Sequence, residues 1–144
     1  MHARSKGGVV NSAPVLKTLV YAWAFPTTSV GLVATGLALV SGGRARLVQG
    51  VLEVHGGFAS WALRRLVPLP GGATAMTLGH VVIARDPEAH TNTRAHERIH
   101  VRQCERWGPL FIPAYLLASA VLWCRGRDFY EENPFEREAY AACP

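Results

Sequence analysis

The segment RAHERIHVRQ, residues 94–103, holds two histidines four positions apart, with a glutamate directly after the first. On an α-helix, positions 96 and 100 lie one turn apart on one face, so both imidazoles can aim a ring nitrogen at a single divalent ion about 2 Å away. Glu97 stands at the edge of that face, where its carboxylate reaches a metal-activated water rather than the metal. This is the chemistry of zinc-assisted hydrolysis, with His96 and His100 as ligands and Glu97 as general base. Catalytic zinc keeps three protein ligands and one open position, so a third ligand is required. Glutamates recur downstream at Glu136 and Glu138. Glu136 is the first candidate, Glu138 its rival, with Glu131 and Glu132 behind them. Cys104 shares a face with His100, but it lies about 12 Å along the axis from His96 and reads as a packing residue.

Several elements must position these groups. Asp86-Pro87 reads as a helix entry or a turn, and Thr91 or Thr93 can cap a motif helix that runs to about position 107, where Gly108-Pro109 stops it. Asn133-Pro134 opens a short helix carrying NPFEREAY. Between them lies the uncharged run 109–124. If Glu136 joins the two histidines, this run cannot cross a bilayer once, and it must fold back antiparallel to the motif helix. Upstream, short runs rich in valine and leucine divided by glycine and proline predict strands at 45–55, 58–66 and 76–85, the first two forming a hairpin across Gly56-Gly57.

The N-terminal part has a different texture. No charged residue occurs between Lys17 and Arg44, and the run 18–43 is long enough to cross a bilayer. A membrane anchor is expected; Pro26 leaves open a pair of short buried helices, 15–25 and 29–40. The chain therefore divides into an N-terminal tail and anchor, 1–43, and one compact domain, 44–144, with strands over 45–85 and the catalytic helical part over 91–144. The fold class is α+β: short antiparallel strands, a helical unit and an N-terminal apolar helix or helical hairpin.

Charged residues are 17% of the chain against 49% apolar, a surface poor in charge that suits a membrane or a partner. Of the fifteen basic residues behind the net charge of +5, thirteen are arginine. No zinc-knuckle, helix-turn-helix or interleaved aromatic-basic pattern accompanies them, so no nucleic-acid partner is expected. Basic residues are slightly more numerous after the apolar run than before it, which places the catalytic part in the cytoplasm; a soluble cytoplasmic protein is the alternative. Three widely spaced cysteines, Cys104, Cys124 and Cys143, agree with a reducing compartment and free thiols. Arg94, Arg98, Arg102 and Arg106 recur every four residues opposite the histidines, as a solvated face or a contact for lipid phosphates. His2, His55 and His90 have no partner at ligand spacing and read as loop or surface residues.

The segment from His96 to His100, with Glu136-Arg-Glu-Ala-Tyr140 downstream, resembles the gluzincin zinc metallopeptidases. It is most similar to their small membrane-linked branch, related to the CAAX-processing and heat-shock membrane proteases. The resemblance spans residues 76–142 and implies a zincin-like unit made of the HExxH helix, an apolar back-packed helix and a C-terminal glutamate helix. The family's third ligand is the first glutamate of an E-x-x-x-D segment, which falls on Glu136; Tyr140 stands where the family has the aspartate. The implied roles are Zn2+ held by His96, His100 and Glu136, with Glu97 as general base. An extended peptide or unfolded segment would pair with the strand edge Gly79-His80-Val81-Val82. Tyr140, Tyr130 and His80 are the candidates for stabilising the oxyanion. The function implied is a membrane-associated zinc endopeptidase; the alternative is a non-catalytic small membrane or interaction protein with a structural or vestigial metal site.

Overall fold

The computed structural model describes residues 12–143. The chain runs α1 (Ser12–Val40), β1 (Arg44–Val48), β2 (Val51–His55), α2 (Gly57–Arg65), β3 (Ala75–Leu78), β4 (Val81–Ala84), α3 (Pro87–Trp107), a 3-10 turn (Gly108–Leu110), α4 (Phe111–Cys124) and α5 (Pro134–Ala142). This is an α+β protein with one four-stranded sheet in the order β1-β2-β4-β3. The sheet is mixed rather than wholly antiparallel: β1–β2 and β4–β3 are antiparallel hairpins, and β2–β4 is parallel, the two hairpins being joined through α2.

Three of the expected elements change form. The run 45–55 is a hairpin in itself, turning at Gln49-Gly50, both at positive φ, as a tight two-residue turn requires. The run 76–85 likewise turns at Gly79-His80. The run 58–66 is helix α2, not a strand. Ala59 and Leu63, four apart, are buried while Trp61, Arg64 and Arg65 face outward, a helical period that the short apolar run concealed. Gly56 and Gly57 lead into α2 instead of closing a hairpin.

α1 is one helix of 29 residues that continues through Pro26, so neither the hairpin nor the pair of short helices forms. It lies against the β3–β4 hairpin and the 3-10 turn. A Cβ on Gly31 would come within 2.6 Å of Val81 Cβ, and Thr27 Oγ1 donates to Gly108 O. Its other side exposes Leu16, Leu19, Phe25, Val30 and Val33, and α4 exposes Leu116, Leu117 and Trp123. Two helical segments, Pro14–Val40 and Pro87–Cys124, are long and apolar enough to cross a membrane. In the second the apolar stretch is the 3-10 turn and α4, since α3 carries the four spaced arginines.

The main core joins Ala38 of α1, Val54 of β2, Ala59 and Leu63 of α2, and Val81 and Ile83 of β4. The inner strands β2 and β4 are covered on both faces, and every β4 residue is buried. A second cluster, Cys104, Phe111 and Phe135, ties α3, α4 and α5 together.

Candidate metal centre

α3 starts at Asp86-Pro87, the helix entry, rather than at Thr91 or Thr93. Asp86 caps it by accepting from Ala89 N–H at 2.8 Å, and Pro87 takes the first position. On this helix His96 and His100 stand with their Nε2 atoms 3.1 Å apart. α5 brings the third group. Asn133 caps α5 by accepting from Phe135 N–H, and its amide donates to Tyr115 O and Ser119 Oγ on α4. Glu136, in the first turn of α5, is thereby set with Oε2 3.1 Å from His96 Nε2 and 3.4 Å from His100 Nε2.

Two ligands bound at about 2.05 Å to a tetrahedral ion stand about 3.3 Å apart. The three separations, 3.1, 3.1 and 3.4 Å, match that spacing on every side of the triangle. These three residues are the group of histidine, cysteine and acidic side chains, among the described residues, that could hold a metal ion. The donor set, two imidazoles and one carboxylate, is one that divalent transition metals accept.

The Glu136 carboxylate and the His100 imidazole shift one another. Burial alone would raise the Glu136 carboxyl, but hydrogen bonds from His100, His96 and Tyr115 outweigh it and hold the group at about 2. Burial would lower the His100 imidazole; the Glu136 carboxylate reverses this and raises it. Glu97 is displaced the other way. It is 5% exposed, and burial pushes its carboxyl above the usual range against the pull of His100 and Thr77. Its Oε2 accepts from Thr77 Oγ1 of β3 at 2.7 Å, and its carbonyl accepts from the same hydroxyl at 3.2 Å.

A cavity of about 320 Å3 opens beside these residues, lined by Glu97, His100, Glu136, Tyr115 and Tyr130 together with β3 from Ala75 to Leu78. β3 is an edge strand. Arg85 N–H donates to Thr74 O, so by antiparallel alternation Met76 and Leu78 pair with β4 and the backbone groups of Ala75 and Thr77 face the open edge. The expected edge, Gly79 to Val82, is different: Gly79 and His80 form the turn, and Val81 and Val82 lie in inner strand β4, bonded on both sides.

Of the oxyanion candidates, Tyr130 lines the cavity, and burial with Tyr140 and Glu136 nearby raises its hydroxyl, keeping it a proton donor. Tyr140 places its ring 4.6 Å from that of His96. His80 belongs elsewhere: it stacks on Tyr21 of α1, and its Nε2 pairs with Glu105 at 3.0 Å. Glu138 is directed to Gln103 and Arg106 rather than to the imidazoles. Cys104 is buried in packing, as expected. His90 is not a surface residue: it is buried with Nε2 3.0 Å from Val54 O, and its ring meets that of His55 edge-on. His2 lies outside the described residues. The arginine series is mostly engaged within the fold. Arg94 makes two bonds to the buried Glu53, Arg98 donates to Val48 O, and Arg106 pairs with Glu138, leaving Arg102 exposed.

Three partners went unseen in the sequence. Tyr115 donates to the second oxygen of Glu136 at 2.6 Å, Thr77 holds Glu97, and Gln103 Oε1 stands 2.8 Å from His100 Nδ1. Only Gln103, one turn after His100 on the same helix, had a local signal. No family model matches the chain, and no curated protein or solved structure matches it.

Proposed function

We propose that this chain is a zinc-dependent endopeptidase of gluzincin type, associated with a membrane through α1 and the apolar face of α4. His96, His100 and Glu136 would hold the ion. When bound, zinc supplies Lewis acidity, which acidifies a water and polarises the scissile carbonyl. Glu97, with its carboxyl raised by burial and steadied by Thr77, takes the proton from the attacking water and delivers it to the leaving amine. An extended peptide adds to the open edge of β3, where the free backbone groups of Ala75 and Thr77 are available. Tyr130 is the favoured donor to the developing oxyanion. The excess of arginine after α1 favours a cytoplasmic catalytic part.

The observation that carries this proposal is the triangle of donor atoms at 3.1 to 3.4 Å, with Glu97 and an open strand edge on one cavity. A second function, a membrane protein that holds metal without turnover, draws support from the burial of Glu97 and the engagement of its Oε2 by Thr77. One experiment separates them: zinc content and hydrolysis of an unstructured protein are measured for the purified chain, for Glu97→Gln and for His100→Ala. Peptidase function requires Glu97→Gln to keep its zinc while losing about 10²- to 10⁴-fold in rate. His100→Ala should lose the metal. Stoichiometric zinc with no hydrolysis by the unaltered chain across a broad peptide library leaves the non-catalytic function standing.

A further inference from the structure

Gln103 is fully buried between α3 and α5, and its side-chain amide has partners on three sides. Its Nε2 donates to Phe135 O and to Glu138 Oε2, both at 3.0 Å, while Oε1 lies 2.8 Å from His100 Nδ1. These partners decide which way the amide points. A backbone carbonyl and a carboxylate only accept, so both demand the amide NH2, and a flipped Gln103 would set its oxygen against two oxygens. Oε1 is then obliged to face His100. An amide oxygen only accepts, so His100 must carry its proton on Nδ1. When the ring is protonated, as the neighbouring Glu136 favours, Nε2 also donates to that carboxylate; when it is neutral, the lone pair is left on Nε2.

We propose that Gln103 is a positioning residue that relays the docking of α5 to His100: Phe135 and Glu138 orient its amide, and the amide fixes the imidazole with its free nitrogen toward the metal position. α5 thus does two things when it docks. It delivers Glu136, and through its neighbours on either side it readies a ligand on α3. Undocking removes both together, so the centre assembles as a unit. Arg106 belongs to the same network, pairing with the other oxygen of Glu138 at 3.1 Å. The relay rests on the proposed ligand set, but the tautomer it dictates is a property of the chain without metal.

The test combines histidine nitrogen NMR on the metal-free chain, at a pH high enough to leave the His100 ring neutral, with zinc competition against a chromophoric chelator. The unaltered chain should show His100 protonated at Nδ1. Gln103→Met keeps the length but removes acceptor and donors, and should lose the single tautomer and weaken zinc binding about 10- to 100-fold. Gln103→Glu keeps the acceptor but sets a carboxylate against Glu138 and Phe135 O, and should also weaken binding. Adding Glu138→Gln, whose amide can donate back, should recover most of that loss. A merely structural role predicts no tautomer change and no rescue. The relay is overturned if His100 of the unaltered chain carries its proton on Nε2, or if Gln103→Met binds zinc as tightly as the unaltered chain. Should Gln103→Met fail to fold, the unaltered spectrum and the rescue pair still decide. A chain that takes up no zinc but shows the Nδ1–H tautomer refutes the ligand set and leaves the relay in place.

Discussion

Replacing Asn133 by alanine should loosen the element that delivers Glu136 while touching no ligand. Asn133 is fully buried, caps α5 through its oxygen and reaches α4 through its NH2 group. Loss of a cap costs about 1 kcal/mol. The two donated bonds would be worth about 1 kcal/mol each if their acceptors were left unpaired. They are not left wholly so: Tyr115 O lies inside α4, where the helix offers its own donor, and Ser119 Oγ still donates to Phe129 O at 2.9 Å. The sum is therefore about 2 kcal/mol, with a small addition for the space vacated. Urea unfolding in detergent, read by far-ultraviolet dichroism with chelator present, measures it. Asn133→Asp keeps the capping oxygen but sets a buried carboxylate oxygen against Tyr115 O, so it should cost at least as much. Saturating zinc should restore part of the loss in both variants, because an ion bound only by the docked state stabilises that state by mass action. A cost for Asn133→Ala below about 0.5 kcal/mol, or no gain from zinc, would refute the view that α5 docking and metal binding are one event.

Two groups should each add stability as pH rises, in separate steps. Burial lowers the His90 imidazole, so between its folded value and about 6.5 the unfolded chain holds the extra proton and acid favours unfolding. Burial would raise the Glu53 carboxyl, but Arg94 and Arg46 overcome it and lower it, so the same sign holds below about 4.5. Urea midpoints of the unaltered chain and Glu53→Gln, compared from acid to neutral pH, should converge as the acid limb is entered; parallel curves would refute the assignment. Gly31→Ala should cost about 1 to 3 kcal/mol, because the new Cβ meets Val81 Cβ at 2.6 Å and Leu78 O at 2.8 Å. Gly36→Ala, with nothing within 4 Å, should gain about 0.5 to 1 kcal/mol, and thermal unfolding of the pair gives the contrast. Replacing Leu116, Leu117 and Trp123 together by serine should weaken flotation with neutral lipid vesicles, since these exposed side chains are the apolar face of α4; unchanged flotation would leave α1 as the sole contact.

How far the sequence was legible depends on whether a feature is local. His96 and His100 are related by one helical turn, and Asn133-Pro134 marks a helix start, so both ends of the site could be placed from spacing alone. The run 58–66 misled because a short apolar run does not tell helix from strand by its own pattern; the exposed Trp61 between buried Ala59 and Leu63 settles it only once the sheet is present. The two hairpins hid inside single runs because Gln49-Gly50 and Gly79-His80 are weaker turn signals than the Gly56-Gly57 pair nearby. His90 could not be read from its neighbours at all, since its partner is the carbonyl of Val54, 36 residues earlier. Thr77 and Tyr115 escaped for the same reason.

The choice between Glu136 and Glu138 shows what decides which acid reaches the two imidazoles. Two positions on a helix are turned about 200° from each other, so one α5 cannot aim both carboxylates at the same imidazoles. Glu136 and Tyr140, one turn apart, share a side, and both meet His96, at its Nε2 and on its ring. Glu138 diverges to Gln103 and Arg106. Rotating α5 to exchange the two acids would tear Asn133 from Tyr115 O and Ser119 Oγ and withdraw Phe135 from the cluster with Cys104 and Phe111. Which glutamate reaches the imidazoles is therefore selected by the anchorage of α5 on α4 and α3, and the order of glutamates along the tail carries that information only through the residues that fix the rotation of the helix.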